Sequence, residues 1–271
     1  MKYHNVLPPT NNNVTHQHPV REFVYLLGAL AGLLLLLYWL LGFFIDFAVD
    51  SISPQSEIAL YQATSMSQLF EADEKIQPTT ANESVGKLLA ALAQCTDIGY
   101  PIDLSIKEAP QMNALAWPGG HIVVLSGLLD KVKSQNGLAF VLAHELAHFK
   151  NRDHLRAMGR GVILLAVSSL IGGSDTSALI IQLTDIGSAQ FSQQSESAAD
   201  ATALDILNCH YGHIGGALEF FQQLEQQDRT IDFSLMHYFS SHPQVKRRIA
   251  TLEQLGRQRG YKSEQTINWQ K

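Results

Sequence analysis

Hydrophobic positions along this chain fall into three patterns. The first is an unbroken run from Phe23 to Ile45 (FVYLLGALAGLLLLLYWLLGFFI), where only the tyrosines could ionise. In a helix such a run reaches about 34 Å, enough for a hydrocarbon core of about 30 Å. The second pattern has helical spacing. Ala59, Ala63, Met66, Leu69 and Phe70, then Val85, Leu88, Leu89 and Leu92, predict two helices within 55–95, parted at Gln77-Pro78-Thr79-Thr80. The third pattern is alternation at Ile102, Leu104 and Ile106. Ala114 to Trp117 and His121 to Leu125 also read as strands, joined by the tight turn Pro118-Gly119-Gly120. From Gly137 the helical pattern returns nearly to the end. The pattern shows no internal repeat and no glycine-rich phosphate loop. The expected class is α+β, mostly helical, with a small antiparallel sheet behind one transmembrane helix.

Charge sharpens this picture. Only 16% of the 271 residues are charged, against about 25% in ordinary soluble domains. The net charge of −6 gives no general attraction to nucleic acid. Lys2 and Arg21 precede the apolar run, whereas Asp46, Asp50 and Glu57 follow it and the next lysine is Lys75. The positive-inside rule then predicts a mobile cytoplasmic tail over 1–22, an anchor over 23–49 held in the bilayer through 23–45, and a domain over 50–271 outside the cytoplasm. His4, His16 and His18 fall in the tail and read as solvated. Two cysteines, Cys95 and Cys209, exclude a disulfide-dense scaffold and leave their own pairing open.

The sharpest chemical signal is His144-Glu145-Leu146-Ala147-His148 inside an apolar helical stretch. Histidines at i and i+4 share one helix face, about 6 Å apart, so both imidazoles can reach one zinc ion. Glu145 is then placed to take a proton from an attacking water. Two residues compete for the third ligand. His154, ten residues after His144, has metzincin spacing, but that pattern needs a glycine where Asn151 stands. The rival is a distant glutamate, and none occurs between Glu145 and Glu196. Asp200 shares a helix face with Glu196, suited to orient a ligand histidine. The apolar stretch 161–173 is too short to cross a membrane. A single crossing there would also put His148 and Glu196 on opposite sides, so residues 161–187 are expected to form a buried or membrane-facing helical hairpin, unless both halves cross.

Asn113-Ala114-Leu115-Ala116-Trp117-Pro118-Gly119-Gly120, the His144–His148 motif, Glu196-Ser197-Ala198-Ala199-Asp200, and His242-Pro243 with Arg248-Ile249 occur in that order. Together they resemble the HtpX/Oma-type zinc metallopeptidases, a family that also holds the integral-membrane CaaX prenyl proteases. The resemblance spans about residues 80–255 and implies a zincin-like domain with one zinc per chain, bound by His144, His148 and Glu196. It implies Glu145 as general base, Asp200 as the ligands' partner, and His242 with Arg248 as supporting catalytic groups. Asn113, Ala114, Leu115 and Ala116 would hold substrate backbone by strand addition. The expected protein is a single-pass bacterial inner-membrane endopeptidase with its catalytic domain in the periplasm, acting on misfolded envelope proteins. The rivals are a catalytically inactive zinc-binding assembly factor and a metzincin-type peptidase using His154. Oligomeric state is left open.

Overall fold

The computed structural model describes residues 19–63, 80–99, 101–159, 193–227 and 245–269. The 1–18 part of the tail, the 161–187 segment, Met66 to Phe70 and His242 lie outside the described residues. The chain divides into two compact units, Met1–Phe44 and Ile45–Lys271.

Helix α1, Pro19–Ser51, contains the apolar run. It is the one helix among the described residues long and apolar enough to cross a membrane. Its large side chains from Phe23 to Phe44 stand exposed. Its last part, from Ile45, belongs to the second unit, where Ile45 and Val49 pack with Leu155 and Met158. Helix α2, Pro54–Ala63, opens with proline at its first position, where a missing N–H costs nothing. Ser53 caps it, its hydroxyl accepting the Ser56 N–H at 3.1 Å.

The second unit is built around α5. Helix α3, Thr80–Ala93, turns Val85, Leu88, Leu89 and Leu92 into the core, as their spacing predicts. Strands β1 (Asp103–Lys107), β2 (Ala114–Trp117) and β3 (His121–Leu125) follow, then the short helix α4, Ser126–Lys131. The sheet order is β1-β3-β2. Its hairpin β2–β3 is antiparallel as expected, but β1 pairs parallel with β3, so the sheet is mixed rather than wholly antiparallel. The cause lies in the connection: the chain leaving β1 passes to the far side of β3 before turning back through β2. Gly119 and Gly120 at φ 84° and 89° make the β2–β3 turn possible, a conformation other residues resist.

Helix α5, Gln135–Asn151, is buried at every residue from Asn136 to Phe149. Helices α6 (Gln193–Tyr211), α7 (Glu219–Gln227) and α8 (Val245–Gln258) follow among the described residues. Leu138, Phe140, Leu142 and Leu146 of α5 share one core with Leu204 and Leu207 of α6, Phe220 and Phe221 of α7, and Leu252 of α8. Each such burial contributes roughly 1.5–3 kcal/mol.

Both ends of α5 are tied down. Ser134 accepts the Gly137 N–H at 2.9 Å, while Glu219 accepts the Lys133 and Ser134 amides at 2.7 and 3.1 Å. At the other end Arg152, at φ 58°, is left-handed and donates its N–H to the His148 and Phe149 carbonyls. That geometry costs a non-glycine residue about 1–2 kcal/mol. Cys95 and Cys209 form a disulfide with Cα atoms 6.0 Å apart, joining the chain just after α3 to the last turn of α6.

Candidate metal centre

Helical periodicity puts His144 and His148 on one face of α5, and packing brings them with Glu145 to where α5 meets α6 and β2. Burying these three in an apolar helix is costly unless each finds a partner, and each does. His144 and His148 approach through their Nε2 atoms at 3.0 Å. Glu196, in the first turn of α6, lies 3.6 Å from His144 Nε2 and 3.4 Å from His148 Nε2. A tetrahedral zinc with bonds of about 2.0–2.1 Å sets ligand atoms about 3.3–3.4 Å apart, and these separations bracket that value. The donor set of two imidazoles and one carboxylate is also what zinc prefers, and the ligand atoms of all three residues lie within 4.8 Å of one another.

The outer nitrogens of both histidines are held. His144 Nδ1 is 3.1 Å from Asp200 Oδ1. His148 Nδ1 is 3.0 Å from Asp153 Oδ2, just beyond the left-handed residue that ends α5. Arg248 of α8 faces the two carboxylates of α6, Nη1 lying 2.6 Å from Glu196 Oε2 while Nε and Nη2 donate to Asp200 at 2.8 and 2.7 Å. Its guanidinium also stacks 4.7 Å from the Phe221 ring. Arg248 thus holds the Glu196 and Asp200 carboxylates in place.

The electrostatics favour a bound cation. Glu145, Asp153, Glu196 and Asp200 are four buried carboxylates, and Arg248 pairs with two of them, Glu196 and Asp200. Burial pushes the His148 imidazole down, yet Asp153, Glu196 and Glu145 reverse the effect and raise it from 6.5 to about 10. His144 is raised in the same sense, with Asp200 and Glu196 outweighing burial and the His148 charge. Burial works to raise the Asp200 carboxyl, but Arg248 and His144 hold it below its usual range.

Glu145 is aimed at β2. Its Oε2 accepts the Ala116 N–H at 2.8 Å. β2 is an edge strand, and the Leu125 N–H donated to the Asn113 carbonyl at 3.0 Å sets its phase. Residues 113, 115 and 117 then bond to β3, whereas the main-chain groups of Ala114 and Ala116 point away from it. Both outward amides are occupied, Ala114 by Asn113 Oδ1 at 2.9 Å and Ala116 by Glu145. The buried Asn113 Nδ2 has no hydrogen-bond partner among the described residues.

His154, the rival third ligand, is turned elsewhere. Its Nε2 lies 2.8 Å from Glu57 Oε1, and the left-handed residue after the zinc motif is Arg152, one position past Asn151. Two participants escaped the sequence reading, Asp153 and Glu57. Asp153 had a faint signal as the first carboxylate beyond the helix end, five residues after His148. Glu57 had none. A cavity of about 400 Å³ lined by Gln193, Glu196, Ser197, Asp200, Arg248 and Thr251 adjoins the centre. A larger one, about 770 Å³, lies between α3 and β1 and contains none of these groups.

A motif of this build, with two helix-borne histidines, a glutamate from a second helix and another glutamate beside an edge strand, is the arrangement of the zinc metallopeptidase class. Residues 79–256 match the model of Peptidase family M48, and the chain belongs to that family. It is 29% identical over 183 residues to mitochondrial metalloendopeptidase OMA1 of Schizosaccharomyces pombe, covering 65% of this chain and 53% of that protein. Metalloprotease LoiP of Escherichia coli is 29% identical over 185 residues, 64% of this chain and 71% of that protein. The beta-barrel assembly-enhancing protease of Yersinia pestis is 27% identical over 153 residues, 52% of this chain and 32% of that protein. The chain thus spans from about a third to about seven tenths of the length of these relatives.

Proposed function

We propose that this chain is a membrane-anchored zinc endopeptidase that cuts extended segments of envelope proteins. One zinc per chain would be held by His144, His148 and Glu196. When bound it polarises the scissile carbonyl and acidifies the attacking water. Asp153 and Asp200 hold the outer nitrogens of the two histidines, and Arg248 holds Glu196 and Asp200. Glu145 takes the proton of the attacking water and returns it to the leaving amine. His242 is kept as a supporting catalytic group on family resemblance alone.

The observation that carries this reading is the bond between Glu145 and the Ala116 amide. It fixes the base beside the strand on which a substrate would align. With the amides of Ala114 and Ala116 occupied, their outward carbonyls would take the N–H groups of an added substrate strand. Main-chain recognition of this kind suits unfolded chains of varied sequence.

Residues 1–22 serve as a cytoplasmic tail, 23–49 as the anchor and 50–271 as the catalytic domain, on the periplasmic side of a bacterial inner membrane. The charge asymmetry about α1 supports that orientation. So does the Cys95–Cys209 disulfide, since such bonds persist in oxidising compartments. One relative is a beta-barrel assembly-enhancing protease, which supports envelope proteins as substrates.

The test uses full-length protein in detergent with an unfolded envelope protein as substrate. Glu145→Gln is expected to retain zinc and lose about 10²–10⁴-fold in kcat. A wild type that holds zinc and cuts neither casein nor unfolded envelope proteins would favour a non-catalytic tether instead.

A further inference from the structure

Glu57, in the first turn of α2, is 1% exposed and gathers three donors from two separate parts of the chain. Its Oε1 accepts the Gly119 N–H at 3.1 Å and lies 2.8 Å from His154 Nε2. Its Oε2 accepts Arg152 Nη2 at 3.2 Å. Arg152 Nη1 continues the network to the carbonyls of Val49, at 2.9 Å, and Ile52. Burial works to raise the Glu57 carboxyl, but His154, Gly119 and Arg152 together hold it below its ordinary value, so it is ionised at neutral pH.

Each of the three residues that contact Glu57 itself lies within three residues of one that holds a side chain of the candidate centre. Gly119 sits in the β2–β3 turn, three residues beyond Ala116, whose amide holds Glu145. Arg152 and His154 flank Asp153, whose carboxylate holds His148. One carboxylate therefore pins the strand that orients the base and the segment that orients a metal ligand.

We infer that Glu57 is a positioning residue of the metal centre, coupling the β2–β3 hairpin to the end of α5 so that Glu145 and His148 keep their mutual geometry. The inference rests on the peptidase reading above and deepens it. A carboxylate that only glued α2 to the unit would affect stability and nothing else. A positioning residue must also affect the centre in molecules that remain folded, because orienting partners of metal ligands typically control 10–100-fold in affinity or activity.

The experiment compares full-length wild type, Glu57→Gln and Glu57→Ala in detergent. Zinc affinity is read by chelator competition, and kcat and KM are measured at saturating zinc. Glu57→Ala is expected to weaken zinc binding about 10–100-fold and lower kcat about tenfold, with KM within about twofold. Glu57→Gln should fall between the two, because it keeps an acceptor for Gly119 or His154 and loses the charge facing Arg152. Unchanged zinc affinity and kcat in the folded fraction, with only the thermal midpoint lowered, would overturn the inference.

If Glu57→Ala does not fold, Arg152→Gly tests the same link, since glycine adopts φ 58° freely. A weakened zinc affinity there supports the inference, and an unchanged one overturns it. Zinc affinity needs no substrate, so a wild type that binds zinc without cleaving would defeat the peptidase reading and leave this test standing.

Discussion

Helices α1 and α5 are both apolar on every side, and they end in opposite surroundings. In α1 the large side chains from Phe23 to Phe44 are exposed, whereas in α5 every residue from Asn136 to Phe149 is buried. The contrast lies in their polar residues. α1 has no charged residue between Phe23 and Ile45, which suits a medium that offers no partners. α5 carries His144, Glu145 and His148, each met by a partner from another element at 2.8–3.1 Å. An apolar helix shows that water is excluded, and its polar positions show whether protein replaces that water.

The sharpest way to break this contrast is to empty the polar cluster of α5. Glu196→Ala should leave little zinc on the purified chain and abolish cleavage, whereas His154→Ala should keep its zinc. Metal analysis of the two variants decides the matter, and the opposite result would move the third ligand to His154.

A smaller effect separates the apolar faces. Leu142 is fully buried, so Leu142→Ala should cost about 2–5 kcal/mol of stability in the second unit. Leu35 is 62% exposed, and Leu35→Ala should stay within about 0.5 kcal/mol. Chemical denaturation in detergent, followed by the fluorescence of Trp117 and Trp269, would compare them. Equal losses would show that α1 packs as a core helix.

The smallest expected effect is a dependence on pH. Glu57 has a lowered pKa in the folded chain, so its ionic partners stabilise the fold fully above about 4.5, its ordinary value, and that contribution disappears as pH falls through the lowered value. The difference in thermal midpoint between wild type and Glu57→Gln should therefore be largest above pH 4.5 and shrink on acidification. A difference that widened in acid would reverse the sign assigned to this carboxylate.

What the sequence determined by itself was everything set by local periodicity. The 3.6-residue turn puts His144 and His148 on one face, aligns Asp200 with Glu196, and orders Val85, Leu88, Leu89 and Leu92 into a core stripe. The short apolar runs at 114–117 and 121–125 with Pro118, Gly119 and Gly120 between them specify the hairpin. Tertiary structure alone decided the pairs distant along the chain: Glu57 with Gly119 and His154, 62 and 97 residues apart, and Arg248 with Asp200, 48 apart. It also decided the parallel pairing of β1, the Cys95–Cys209 bond and the left-handed turn at Arg152 that presents Asp153. The physical reason is that repeat geometry fixes directions within one element, whereas partners on different elements meet only after burial of the core has set those elements side by side.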